Sequence, residues 1–253
     1  MKETRFFYAP DAATHPELPA DEAAHCVRVL RLQPGDGILL TDGKGHLYQA
    51  EITTATAKRC LFRVLHESTP PKEWRGQLHL AMAPTKNMDR IEWMAEKATE
   101  IGFDELTFLD CRFSERKVVK TERIEKIMVS AMKQSHKATL PRLNGLTDFR
   151  HFVEQCTTGA RYIAHCYDEA DVSGADCVDG QKYMGRGYPF LGDVLSADGD
   201  ALVLIGPEGD FSIDEVRLAM AHGFRPISLG RSRLRTETAA LVAVHLMHIS
   251  HAL

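Results

Sequence analysis

From Gln77 onward, short apolar runs of strand length alternate with longer segments of helical period. LHLAMA, ELTFL, RYIAHC and ALVLI read as buried strands, and NMDRIEWMAEKATEIG, TERIEKIMVSAMKQS, TDFRHFVEQC and SIDEVRLAMAHG as helices between and after them. No other feature narrows the fold so far, because strands separated by helices must be joined by crossovers, and crossovers build a mostly parallel sheet flanked by helices. The period places Ile91, Met94, Ala95, Ala98 and Ile101 on one face of the first helix, with Gly102 to end it. Ile124, Ile127, Met128 and Ala131 form the inner face of the second. Ser212 with Glu215 three residues later is a capping box that opens SIDEVRLAMAHG.

The first part of the chain reads differently. RFFYA, GILLT, LYQAEIT and CLFRVLH are short strands, DEAAHCVRVL is helical, and Asp42-Gly43-Lys44-Gly45 joins two strands as a hairpin turn. Residues 1–70 are therefore expected to form a small β-barrel-like domain, the polar HESTPPKEWRG a boundary, and residues 76–253 the α/β domain. Between RYIAHC and ALVLI, residues 171–199 are rich in Gly and Asp and lack a period, which predicts a long surface loop.

Composition excludes several classes. Forty-four per cent hydrophobic and 26% charged residues rule out a largely disordered chain, and no window approaches a membrane span of about 20 apolar residues. MKETRFFYAP lacks the basic-then-apolar order of a signal peptide, so a cytoplasmic location is expected. The six cysteines are scattered without a C-x-x-C pair, and His245 and His248 lack a third ligand, so no metal is expected. A net charge of −4 argues against a general polycation, yet the stretch from Arg112 to Arg142 carries nine Lys or Arg against three Glu. A polyanion would have to bind such a local patch.

Two junctions run from strand through glycine-bearing loop to helix. In LVLIGPEGDFSIDE, Gly206 and Gly209 let backbone approach a ligand closely, at a strand end where open α/β sheets commonly bind one. In LGRSRLRTETAAL, Thr236 or Thr238 is expected to cap the final helix, with Glu237 in its first turn. Capping leaves Arg231, Arg233 and Arg235 unexplained, since a helix N-terminus disfavours cations; phosphates of a nucleic acid would offset the placement. Neither a P-loop, nor a G-x-G-x-x-G after a strand, nor a G-x-S-x-G is present.

Taken together, LIGPEGDFSIDE and LGRSRLRTETAAL resemble the paired late motifs of the ribosomal RNA small-subunit uridine-N3 methyltransferases, the RsmE family of the knotted SPOUT class. HCVRVLRLQPGD, KNMDRIEWMAEKATEIG and AMKQSHKATLPRL are similar to further family segments. The chain departs from the family pattern at Asp210, where many members have a second Gly, at Lys133, where an acidic residue is common, and near His136-Lys137, where an arginine is common.

The resemblance implies a PUA-like first domain, a second domain that binds S-adenosylmethionine and carries a C-terminal trefoil knot, and a homodimer acting on ribosomal RNA or the small ribosomal subunit. It implies cofactor contacts from His165, Cys166, Leu204, Ile205, Gly206, Glu208, Gly209, Leu229, Gly230, Leu234, Thr236, Thr238 and Ala239. Arg235 and Glu237 are the catalytic candidates. Candidate RNA contacts are Arg28, Arg31, Lys86, Arg90, Arg112, Arg116, Lys117, Lys133, Lys137, Arg142, Arg231 and Arg233. Two alternatives stay open: a SPOUT enzyme that methylates a ribose oxygen or another base, and a non-catalytic RNA-binding assembly factor.

Overall fold

The computed structural model describes residues 5–56, 59–157, 159–168, 172 and 187–252. The chain divides into two compact units, Met1–Lys72 with Met128–Leu140, and Glu73–Ile127 with Pro141–Leu253.

In the first unit, β1 (Phe6–Tyr8), β2 (Gly37–Thr41), β3 (Leu47–Ala55) and β4 (Cys60–Ser68) form one sheet in that order, and α1 (Ala20–Ala24) runs into a π turn over His25–Val29. β1 lies parallel to β2; the other pairs are antiparallel. Asp42 closes the β2–β3 turn, its Oδ1 accepting the N–H groups of Lys44 at 2.7 Å and His46 at 3.1 Å. Phe7, Leu40, Tyr48, Ile52 and Phe62 fill the core.

Met128–Leu140 belongs with this unit, although sequence order groups it with the α/β domain. The Thr41 hydroxyl donates to the Ala138 carbonyl at 2.9 Å, the Leu140 N–H donates to the Gly43 carbonyl at 2.8 Å, and Lys133 pairs with the buried Glu22. These are long-range bonds that no local pattern announces.

The second unit contains β5 (Leu78–Met82), α2 (Met88–Ile101), β6 (Glu105–Asp110), α3 (Thr121–Gln134, its last turns counted with the first unit), β7 (Arg142–Asp148), α4 (Phe149–Gln155), β8 (Ala160–Ala164), α5 (Leu191–Val194), β9 (Ala201–Ile205), α6 (Ile213–Ala221), β10 (Arg225–Ile227) and α7 (Thr236–His251). Six parallel strands run in the order β10-β8-β9-β5-β6-β7. β9 is buried along its whole length, which is why ALVLI is a continuous apolar run rather than an alternating one.

The helices follow the sequence pattern. In α2 the Asn87 side chain accepts the Asp89 N–H, Gly102 ends the helix at φ 116°, and Ile91, Met94, Ala95 and Ala98 are buried, while Ile101 is half-buried. The Ser212–Glu215 capping box is formed in both directions.

Three expectations change. RLNGLTD is a strand that periodicity does not reveal, because β7 is a half-exposed sheet edge with Gly145 in it. α7 is not capped by Thr236 or Thr238: Arg235 is its N-cap residue, and no side chain caps it. In the segment 171–199, residues 171 and 173–186 lie outside the described residues, but its later part docks rather than loops, with the Leu191 N–H donating to the Ser228 carbonyl and the Ser228 N–H to the Pro189 carbonyl, both at 2.9 Å. Among the described residues no helix is long and apolar enough to cross a membrane.

Candidate active site

β8, β9 and β10 end level with one another, since Ala164 pairs with Ile205 and Ile227 pairs with Ala164. Three loops therefore leave the carboxyl edge of the sheet side by side. Between them lies a cavity of about 400 Å³, within the range of small-molecule sites, about 300–1,000 Å³. Ile205, Ile227, Leu229 and Leu234 give it apolar walls, and backbone at Gly206, Pro207 and Gly230 closes between them.

Two glycines are required by the geometry. A Cβ at Gly206 would stand 3.0 Å from the Phe211 backbone nitrogen and from its ring, so a side chain there would force Phe211 to shift. Gly230 has φ 123°, outside the range that a residue with a side chain adopts readily.

Polar groups tie the loops together. Asp210 stands at φ 69°; its Oδ2 accepts the Cys166 N–H and its Oδ1 the Phe211 N–H, both at 2.8 Å. The Glu208 carboxylate accepts the Lys86 N–H at 3.1 Å. His165 is buried, its Nδ1 accepting the Tyr167 N–H at 3.2 Å, so the neutral ring carries its proton on Nε2. That nitrogen has no partner among the described residues. Burial holds the His165 pKa below its ordinary value and keeps the ring neutral near pH 7.

Most of the expected cofactor contacts line this cavity: His165, Cys166, Ile205, Gly206, Glu208, Leu229, Gly230, Leu234, Thr236 and Ala239. So do Arg90, Arg233 and Arg235. Leu204 does not, because alternation along β9 turns it into the core while Ile205 faces the cavity. Thr236 and Ala239 share a helix face, and Thr238 falls on another. Gly209 packs instead toward Phe113, whose Cβ an added methyl there would meet at 3.3 Å. Glu237 is buried behind the wall, its Oε1 3.7 Å from Arg90 Nε and its Oε2 without a partner. Arg231 is exposed, off the wall. Ala164, Pro207, Asp210, Ile227, Ser228 and Ser232 complete the lining without having been named as contacts; the end-level register of the three strands is the signal that finds Ala164 and Ile227.

Many cations of the expected RNA face have internal partners. Lys86 pairs with Glu115 at 2.8 Å, Arg112 with Asp214 at 3.4 Å, Lys117 with Asp110, and Arg142 with Glu105. Arg116 donates to the carbonyls of Thr85 and Lys86 and so braces the loop before α2. Arg28 and Arg31 are exposed in the first unit, where Lys137 is half-buried. Arg31, Arg231 and Arg233 are exposed and form no ion pair among the described residues, which leaves them more available than the paired cations. Among the described residues no cluster of three His, Cys, Asp or Glu could hold a metal ion.

Residues 72–248 match a family model described as an RNA methyltransferase domain, and residues 18–65 one described as an RNA methyltransferase PUA domain. The chain is similar to the crystal structure of a probable rRNA-methyltransferase from Porphyromonas gingivalis, at 43% identity and a TM-score of 0.86 over 98% of both chains. It is also similar to a ribosomal RNA small subunit methyltransferase E from Neisseria gonorrhoeae, solved with bound S-adenosyl methionine, at 25% identity and a TM-score of 0.82 over 98% of both. A further relative, ribosomal RNA small subunit methyltransferase E from Synechocystis sp., is 29% identical over 86% of this chain and 67% of its own length. Fold and site thus define an α/β RNA methyltransferase of SPOUT type with a PUA domain at its N-terminal side. Within that class, the chain belongs to the ribosomal RNA small subunit methyltransferase E family.

Proposed function

We propose that the protein uses S-adenosylmethionine to methylate N3 of a uridine in small-subunit ribosomal RNA. The observation that carries this reading is the cavity at the level ends of β8, β9 and β10, walled by both late motifs and edged by arginines. Its residues fit the nucleoside: apolar side chains for the faces of a purine, bare backbone at Gly206, and in His165 Nε2–H a buried donor with no partner among the described residues. Bound there, S-adenosylmethionine supplies an electrophilic methyl group.

The chain's own work is positioning and charge stabilisation. N3 of uridine becomes nucleophilic as its proton leaves, and negative charge spreads over the flanking carbonyl oxygens. Arg235, exposed on the cavity wall, is assigned to that charge as an oxyanion-hole-type donor. Arg231 and Arg233 are assigned to phosphates. Glu237, buried beside Arg90, holds that guanidinium at the wall rather than touching substrate, and the proton passes to water. Arg28 and Arg31 contribute RNA contacts from the PUA unit, and Lys86, Arg90, Arg112, Arg116, Lys117, Lys133, Lys137 and Arg142 contribute only where RNA displaces an internal partner. A homodimer and a knotted path for the C-terminal segment belong to the same reading, as does a cytoplasmic location.

The test is incubation with labelled S-adenosylmethionine and small ribosomal subunits from a strain lacking this protein, followed by mass spectrometry of digested RNA. Label on uridine N3 supports the reading. Label on a ribose oxygen or another base replaces it with a different methyl acceptor, and no label together with no calorimetric binding of the cofactor leaves an RNA-binding assembly factor.

A further inference from the structure

Asp210 is a carboxylate on the cavity wall with no cation paired to it among the described residues. Among the described residues its hydrogen bonds come from neutral donors, the backbone N–H groups of Cys166 and Phe211 and the Cys166 thiol. Arg90, Arg233 and Arg235 line the same cavity, yet none forms an ion pair with it. The residue is half-buried and stands at φ 69°, a left-handed conformation that glycine, asparagine and aspartate tolerate best. A partly desolvated negative charge facing a ligand cavity favours a positive charge in the ligand. Glu208 adds a second carboxylate to the wall, accepting the Lys86 N–H and lying within reach of the Lys86 charge.

The proposed cofactor carries a positive sulfur, and its demethylated form, S-adenosylhomocysteine, carries a neutral one. Building on the reading above, we propose that Asp210 makes the cavity discriminate between the two by charge, holding the sulfonium nucleoside more tightly than the thioether. A chain with glycine at this position would lack that discrimination. The consequence is weaker holding of the spent nucleoside, because the attraction to the sulfur ends when it becomes neutral while the α-ammonium common to both nucleosides is unchanged. Ribose hydroxyls and the adenine are common to both nucleosides, so contacts to them cannot produce the difference.

Calorimetric titration of the full chain with each nucleoside tests this, using wild type, Asp210→Asn and Asp210→Gly. Both variants accept the left-handed backbone; Asn is nearly isosteric, and Gly removes the side chain altogether. Wild type is expected to prefer S-adenosylmethionine, and each variant to lose roughly tenfold of that preference, about 1.4 kcal/mol. An analogue with an ammonium group in place of the sulfonium should follow S-adenosylmethionine, since the charge and not the methyl group is being read. Equal weakening of both nucleosides would overturn the proposal and leave Asp210 as a brace between the Cys166 and Phe211 loops; an unchanged ratio would overturn it as well. If wild type binds neither nucleoside, the proposed function itself fails, a result distinguishable from both of these.

Discussion

Replacing Gly230 with alanine isolates the conformational demand of the arginine loop. At φ 123° a Cβ meets no heavy atom within 4 Å, so crowding contributes nothing and backbone strain is the whole cost. Strain of this kind is about 1–3 kcal/mol. Gly230 and the residues from Arg231 to Arg233 are exposed, so the loop can relax without opening the sheet, and urea denaturation should register about 1 kcal/mol or less. The strain falls instead on the loop conformation that walls the cavity. Apparent affinity drops with the fraction of molecules in the competent state, and 1–3 kcal/mol corresponds to roughly 5–150-fold weaker binding of S-adenosylmethionine by calorimetry. Gly206→Ala is the contrast: its Cβ would meet Phe211 backbone at 3.0 Å, and the sheet-end packing itself should lose about 1–3 kcal/mol in urea. Wild-type affinity in Gly230→Ala with unchanged stability would refute the reasoning, because it would mean that the loop does not need this backbone shape to bind.

Arg235→Ala should leave cofactor affinity nearly intact and cut single-turnover methylation by about 10²–10³-fold, the usual cost of removing one oxyanion-type donor; parallel loss of both would remove the assigned role. Arg231→Ala and Arg233→Ala should each weaken RNA binding and reduce the slope of log affinity against log salt by about one, measured by filter binding across a salt series. Stability should fall as pH drops through the ordinary histidine range. Burial holds His79 and His165 below their usual pKa, so beneath about 6.5 the unfolded chain binds protons that the folded chain refuses, and unfolding gains. The urea midpoint should be lower at pH 5.5 than at pH 7.5, and His165→Gln should flatten part of that dependence.

How much of this was legible beforehand depends on whether the signal was local. The buried strands LHLAMA, ELTFL and ALVLI declare themselves because central parallel strands are apolar on both faces. β7 does not, since an edge strand needs neither apolar face to be continuous. The Ser212 box is written in two residues of sequence and is found in the structure as written. The start of α7 is not: two threonines and a glutamate satisfy every rule for a cap, yet the N-cap position is Arg235, one residue before them, and no side chain caps the helix. Ile205 could be named as a contact from its motif, but excluding Leu204 required knowing which face of β9 meets the cavity. The pairing of Lys133 with Glu22 and of Arg142 with Glu105 was equally invisible, because charge counts along a chain say nothing of partners brought in from far away.

The level ends of β8, β9 and β10 also bear on the order in which the molecule matures. Every wall of the cavity except Arg90 comes from residue 164 or later, and β5 at the middle of the sheet must wait for β9 before its second edge is paired. As the chain emerges from synthesis, the ligand site cannot come into existence before Ala239 has been made. Until then β5 presents an unpaired edge, a hazard for misassociation that only the late-made strand removes. Ligand added during refolding should therefore raise the yield only after that strand has docked, acting as a lock on a finished sheet rather than as a seed for it.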